Sequence, residues 1–235
     1  MQKFIIVIPA YNAADYIGRC LDSVLEQEYK NFEIIVIDDH SIDKTWKIIE
    51  NYPVNSYHQE YRLGSGLANI VKGIQLSDPY TEDVIVTLDG DDQLADRYVL
   101  RYLSEVYKED IWMTYGQYYP ESGDYNNFCK PVSDTQGYRK SGKWMTSHLR
   151  TFKYWLWRKI DNKDLRDASD KYYCVAWDRA FMYPLIEMAG RHCKFIDKIL
   201  YIYNDLNPLN DMKLLPDESE MTALEIIEKQ IYKQL

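Results

Sequence analysis

Three carboxylates, Asp89, Asp91 and Asp92, crowd around Gly90 directly after the apolar run Val84-Ile85-Val86-Thr87-Leu88. The run reads as a buried strand, so the acids emerge together where that strand ends and the chain turns. Like charges packed so closely repel one another unless a cation neutralises them. A hard divalent ion, Mg²⁺ or Mn²⁺, takes one or two carboxylates and fills its remaining positions with phosphate oxygens and water. The same four residues also suit an acidic turn that caps the next helix, since Asp favours turns and helix starts. The tetrad alone does not choose between the two.

The elements around it supply two further polar turns. Phe4-Ile5-Ile6-Val7-Ile8 runs into Pro9-Ala10-Tyr11-Asn12, and residues 32–37 run into Asp38-Asp39-His40-Ser41-Ile42-Asp43. Between them, Ile17, Cys20, Leu21, Val24 and Leu25 follow the spacing of an amphipathic helix. A shorter helix is predicted over 44–51, with Ser41 or Asp43 as its N-cap. Strand–helix–strand units of this length imply right-handed crossovers and a parallel sheet. The carboxyl ends of such strands share one edge, where ligands bind. The turn at 9–12, the Asp38-Asp39 pair and the tetrad are therefore expected to line one crevice, suited to a nucleoside diphosphate.

A glycine cradle for phosphates is missing. No G-x-G-x-x-G follows the first strand and no G-x-x-x-x-G-K-[ST] occurs in the chain. Gly64-Ser65-Gly66 reads instead as a turn opening the helix through Ala68, Ile70 and Val71. Ile8-Pro9-Ala10-Tyr11-Asn12, Val36-Ile37-Asp38-Asp39-x-Ser41-x-Asp43 and Leu88-Asp89-Gly90-Asp91-Asp92, in this order and spacing, resemble the family 2 glycosyltransferases of GT-A fold. Asp178, opening a helix that runs into Pro184-Leu185-Ile186-Glu187-Met188-Ala189-Gly190, extends the resemblance. Tyr201-Ile202-Tyr203-Asn204, with Asn207-Pro208 and Asn210-Asp211, looks like the loop that closes over the donor in one subgroup.

The resemblance implies an α/β fold, a single Rossmann-like GT-A domain over 1–235 with a mostly parallel central sheet flanked by helices. Residues 1–120 would form the nucleotide-binding half and 121–235 the acceptor-binding half. The implied reaction is an inverting, metal-dependent transfer from a UDP-sugar to a glycan, lipid-linked or other hydroxyl acceptor. Pro9, Ala10, Tyr11 and Asn12 would border the base, with the Tyr11 ring stacked on it, and Asp39 would accept from the uracil N3–H. Arg62 falls where a basic residue reaches the nucleotide. Asp89, with Gly90, would hold the ribose and help orient the Mn²⁺ or Mg²⁺. Asp91 would be the main metal ligand and Asp92 a second ligand or a sugar contact, with Gln93 outside them. Arg150 and Asn210 would touch diphosphate or acceptor. Asp178 would be the general base, with Asp167 and Asp170 as nearby alternatives. The family usually carries an acidic pair at this place, whereas Trp177-Asp178 carries one acid.

Two other classes compete. A sugar-1-phosphate nucleotidyltransferase also uses a metal and a similar sheet, but its glycine-rich basic loop after the first strand is missing here. The other is a non-catalytic sugar-nucleotide or glycan-binding module.

Composition narrows the partners. Twenty-eight Lys and Arg against 37 Asp and Glu give a net charge of −9, with no basic patch large enough for nucleic acid as the main partner. Cys20, Cys129, Cys174 and Cys193 show neither C-x-x-C nor zinc spacing, and a reducing cytoplasm is the expected compartment. Met1-Gln2-Lys3 leads directly into the first strand, so no signal peptide is expected, and no apolar run is long enough to span a bilayer.

In the second half, Tyr98, Leu100, Leu103 and Val106 predict a helix, residues 112–119 a strand, and the polar stretch 121–142 a long loop or lid. From Trp144 to Lys159 aromatic and basic side chains interleave. Three readings stand for this segment: packing over the sheet at the acceptor site, an interfacial helix at the cytoplasmic face of a membrane, or a dimer contact. Within it, His148 is open to a structural, metal-ligating or diphosphate role. Leu224, Ile227, Ile231 and Leu235 have helical spacing and predict a docked C-terminal helix. Most of the 22 tyrosines are expected to be half-buried filling.

Overall fold

The apolar runs pair into one eight-stranded sheet. The computed structural model describes residues 1–126 and 128–235, without the side chains of Asp211 and Met212. The first half contains β1 (Phe4–Ala10), α1 (Ile17–Leu25), β2 (Phe32–Asp38), α2 (Thr45–Ile49), β3 (Asn55–His58), α3 (Gly66–Ser77), β4 (Val84–Thr87), β5 (Gln93–Leu94) and α4 (Val99–Val106). The second half contains β6 (Met113–Pro120), β7 (Ser147–Lys153), α5 (Tyr154–Trp157), α6 (Trp177–Ala189), β8 (Cys193–Tyr203), α7 (Asp211–Leu214) and α8 (Pro216–Ile227).

The sheet order is β3-β2-β1-β4-β7-β6-β8-β5. Strands β3, β2, β1 and β4 are parallel. Strand β7 runs antiparallel between β4 and β6, while β8 is parallel to β6 and carries the short antiparallel β5 at the edge. Four of the seven pairings are thus parallel, which is the mostly parallel sheet expected. Alternation along β1 divides the core. Phe4, Ile6 and Ile8 pack with the apolar faces of α1 and α4, whereas Ile5 and Val7 pack with those of α3 and α6. Helices on both faces explain why β1 and β4 are nearly continuously apolar rather than alternating. Ile17, Cys20, Leu21 and Val24 of α1 are buried, as their spacing requires. The Ser65 hydroxyl caps α3 by accepting from Ala68 N at 3.1 Å. The chain is a single α/β domain.

Three expectations are corrected. The aromatic-basic segment is not a surface helix: its residues 147–153 form β7, an inner strand, followed by the one-turn α5. Its Arg150 is paired inside with Asp178, and Lys153 pairs at the surface with Glu82. The helix predicted over 44–51 spans only Thr45–Ile49, and Asp43 rather than Ser41 accepts from Thr45 N, at 2.8 Å. At the C-terminus, α8 buries Ser219, Ala223 and Ile226, leaving Leu224 59% exposed. Helix does not continue through 228–235. A buried Arg139–Glu187 pair, bonded at 2.7 and 2.8 Å, instead recruits the tail, with Tyr232 N donating to Glu187 at 2.9 Å. That pair needs further polar partners to offset its burial, and the tail supplies them. Among the described residues, no helix is long and apolar enough to cross a membrane.

Candidate active site

The carboxyl ends of β1, β2 and β4 meet along one edge, as parallel pairing demands. Gly90 makes their approach possible. A Cβ there would lie 2.9 Å from the Pro9 carbonyl oxygen and 3.0 Å from the Ala10 Cβ, while Gly90 N donates to Pro9 O at 3.1 Å. Asn12, at φ 47°, laces the first turn to the second: its N–H donates to Ser41 Oγ at 2.9 Å and its Oδ1 accepts from Ile42 N at 3.0 Å. Asp39 N donates to Ala10 O at 2.8 Å. Because backbone must yield to any added Cβ, Gly90→Ala is expected to destabilise the fold by about 1–3 kcal/mol. Urea unfolding measures this, and an unchanged midpoint would mean that the two turns are not in close contact.

At the end of β2, the buried Asp39 carboxylate accepts from Leu63 N at 2.7 Å and Gly64 N at 2.9 Å. It thereby folds the loop at 59–64 back over the first turn. Arg62 in that loop lies over the Tyr11 ring, 3.7 Å from its centroid, a cation–π contact. A carboxylate oxygen has two lone pairs, so Asp39 retains acceptor capacity beyond these two bonds.

The tetrad itself divides. Ligand atoms of Asp89, Asp92 and His148 lie within 4.8 Å of one another. Asp92, 1% exposed, accepts from Tyr201 OH and from Asn204 N, each at 2.6 Å. Burial, reinforced by the charges of Asp91 and Asp89, pushes its carboxyl well above the usual carboxylate range. Asp91 stands outside the trio. Asn207 Nδ2 donates to its Oδ2 at 2.6 Å, and burial raises its carboxyl as well. The end of β8 and the segment after it hold the two acids separately, Tyr201 and Asn204 on Asp92 and Asn207 on Asp91. Crowded acceptor-only carboxylates, two of them, Asp91 and Asp92, with their ionised forms disfavoured, match a hard divalent cation.

Strand β7 completes the edge. Because it is antiparallel, its beginning lies beside the end of β4, with Arg150 opposite Thr87. His148 is buried, its ring stacked 4.3 Å from that of Tyr201 and 5.8 Å from that of Tyr203. Arg150 Nη1 approaches His148 Nδ1 at 3.2 Å. A guanidinium only donates, so Nδ1 accepts and the ring proton resides on Nε2. Burial and then the Arg150 charge hold the imidazole far below its ordinary range, so it is neutral. Neither ring nitrogen then offers a free lone pair to a metal while Arg150 stays in place, and the Nε2–H is a donor.

The same Arg150 donates through Nη2 to Asp178 Oδ2 at 2.6 Å. Asp178 occupies the first turn of α6, after Ala176 in a left-handed conformation at φ 46°, and its Oδ1 accepts from Arg179 N at 3.0 Å. A continuous path thus joins Asp178, Arg150, His148, Tyr201 and Asp92. Asn210 donates to the Tyr203 hydroxyl, whose ring packs against His148. The alternatives to Asp178 lie in a separate turn. Asp167 accepts from Ser169 N and Lys171 N, and Asp170 is 87% exposed beside Arg166.

Sequence reasoning put Tyr201 and Asn204 in a donor-closing loop but not on Asp92, and gave no site role to Arg19. Arg19 grips Glu121 at 2.6 and 2.9 Å, and its Nη2 lies 3.5 Å from the Asp91 carbonyl oxygen. Gln93 donates to the same Glu121 at 3.2 Å. No local spacing connects residues 102 positions apart.

The profile of Glycosyl transferase family 2 matches residues 5–169. An uncharacterized glycosyltransferase of Bacillus subtilis, EpsJ, is 26% identical over 92% of this chain and 64% of its own. The UDP-Glc:alpha-D-GlcNAc-diphosphoundecaprenol beta-1,3-glucosyltransferase WfaP of Escherichia coli is 32% identical over 52% of this chain and 48% of its own. The chain therefore spans less than two thirds of either relative. Among solved structures, glucosyl-3-phosphoglycerate synthase from Mycobacterium tuberculosis, in complex with Mn²⁺, UDP and glucosyl-3-phosphoglycerate, superposes with a TM-score of 0.65 at 12% identity, covering 97% of this chain and 81% of that one. With the profile matching well over half its length and the three motifs meeting at one sheet edge, the chain belongs to glycosyl transferase family 2 and has the GT-A fold.

Proposed function

We propose that this chain transfers a sugar, with inversion, from a UDP-sugar to a hydroxyl of a glycan or lipid-linked glycan, using a divalent metal. The observation that carries the reading is the path from Asp178 through Arg150 and His148 to the buried carboxylates. It sets a candidate base and a candidate cation site against one crevice. WfaP, by its name, uses UDP-Glc and a diphosphoundecaprenol-linked acceptor, which supports both substrate classes. The complex of glucosyl-3-phosphoglycerate synthase with Mn²⁺ and UDP supports the metal and the nucleotide. The cytoplasm, at a membrane face when the acceptor is lipid-linked, is the compartment that fits these substrates.

Asp89, Asp91 and Asp92 would hold Mn²⁺ or Mg²⁺, which when bound offsets charge growing on the β-phosphate. Residues 1–120 carry the base and ribose contacts in this reading. Tyr11 stacks the base with Pro9, Ala10 and Asn12 at its border, and Asp39 accepts the uracil N3–H on its remaining lone pairs. From 121–235, the His148 Nε2–H and the Arg150 guanidinium donate to diphosphate oxygens, and Asn210 orients Tyr203 beside them. Asp178 removes the acceptor proton.

Incubation with UDP-sugars and Mn²⁺ tests the reading by its product. UDP release supports transfer, pyrophosphate would make the chain a nucleotidyltransferase, and neither would leave a binding module. Base selection gives a second test. Loss of a charge-assisted hydrogen bond in Asp39→Ala should weaken UDP binding by about 1.5–3 kcal/mol. Calorimetry showing GDP bound more tightly than UDP by the unaltered protein would redirect the donor to a GDP-sugar.

A further inference from the structure

Arg150 bonds both His148, beside the tetrad, and the candidate base Asp178. It is buried, it donates to His148 and Asp178, and its Nε is buried with no hydrogen-bond partner among the described residues. Its Cζ also lies 5.9 Å from the Trp177 ring centroid, which confines the guanidinium between β7 and the start of α6. A buried donor left unmade is costly, and a planar fork of donors with one idle matches phosphate geometry. Both Asp178 oxygens are meanwhile held: Oδ2 receives Arg150 and Oδ1 its own helix backbone. A proton placed on Oδ2 in this arrangement would leave the guanidinium facing a neutral acid, which opposes the transfer that a base must perform.

We propose that Arg150 is a positioning residue that restrains Asp178 until the donor's diphosphate draws the guanidinium away, so that the base is released only in the donor complex. The proposal rests on the transferase reading above. In the released state the acceptor hydroxyl's proton passes to Asp178 Oδ2 and its oxygen bonds the anomeric carbon. The bond from that carbon to the β-phosphate oxygen breaks with its electron pair, and UDP leaves. Donor must then bind before acceptor. Arg150 exchanges one anionic partner for another, so the diphosphate competes with Asp178 for the same guanidinium.

Competition of this kind is reciprocal. Asp178→Asn, which keeps an acceptor for Arg179 N, should tighten UDP binding in the presence of Mn²⁺ by about fivefold, the low end of couplings between sites. Calorimetry on the full chain reads this directly. In an Arg150→Met background, the same Asp178 substitution should leave UDP affinity unchanged. Equal or weaker binding by the single variant overturns the proposal. Equal tightening with and without Arg150 also overturns it, because that would be loss of a nearby negative charge and nothing more. A wild-type chain that binds no UDP with Mn²⁺ overturns the transferase reading along with it, whereas wild-type binding with no coupling overturns the release of Asp178 alone. Should Asp178→Asn fail to fold, Asp178→Ser, whose hydroxyl suits the first turn of α6, gives the same comparison.

Discussion

Asp178→Asn is expected to lower sugar transfer by about 10²–10⁴-fold, the usual contribution of a general base, without weakening UDP or Mn²⁺ binding. The amide cannot accept a proton but occupies the same space and preserves the bond to the first turn of α6. Loss should therefore appear in kcat, because the base acts on the acceptor and not on the nucleotide. Weak donor hydrolysis is expected to persist, since water needs less positioning than a sugar hydroxyl. Steady-state transfer with the best donor, beside calorimetry with UDP, separates the two quantities. A variant that retains most of its turnover would reduce Asp178 to a helix-terminus residue. Asp167 and Asp170 would then be poor replacements, because both belong to an outlying turn.

Asp92→Asn should make the metal-free protein more stable and abolish most of its response to Mn²⁺. Burial and the neighbouring charges of Asp91 and Asp89 raise this carboxyl far above its unfolded value, so the ionised form opposes folding at neutral pH. The sign follows from linkage. A carboxylate whose folded-state pKa is raised imposes its full cost above that value, and the cost shrinks as pH falls through it towards the unfolded pKa. Metal-free wild type should accordingly gain stability from this group on mild acidification, and the variant should not. An amide oxygen still serves Asn204 N, and the Tyr201 hydroxyl can turn to accept from the new amide N–H. The expected gain is about 1–2 kcal/mol, or roughly 2–8 °C in Tm for a chain of this size. Wild type at 100-fold Kd in Mn²⁺ should gain about 2.7 kcal/mol, most of which the variant loses. Thermal scans with and without Mn²⁺ at two pH values measure all of this. A less stable metal-free variant would mean that the hydrogen bonds from Tyr201 and Asn204 outweigh the repulsion, and an intact Mn²⁺ response would remove Asp92 from the cation site.

Much of the sheet edge that gathers the three motifs was legible without coordinates because its logic is local. Continuous apolar runs ending in Pro9-Ala10-Tyr11-Asn12, Asp38-Asp39 and Asp89-Gly90-Asp91-Asp92, joined by short helical connections, leave little choice but parallel strands whose carboxyl ends coincide. The same local logic placed Ser65 at the start of α3 and Asp178 in the first turn of α6. Side-chain spacing in α1 likewise predicted its buried stripe.

What required the tertiary structure is everything that depends on partners far along the chain. The alternation in 144–159 carries no information on strand direction. Only the insertion of β7, antiparallel between β4 and β6, brings His148 and Arg150 to the tetrad's edge. Periodicity at the C-terminus pointed to Leu224 and Leu235, but the Arg139–Glu187 pair holds the tail in a different register. The tetrad's own residues do not tell which donors its acids meet; those are Tyr201, Asn204 and Asn207, at separations of 109 to 116 residues. Local sequence sets backbone periodicity and turn chemistry. The direction in which a buried carboxylate points, and so its place in a site, is set by whichever donors the closed fold delivers to it.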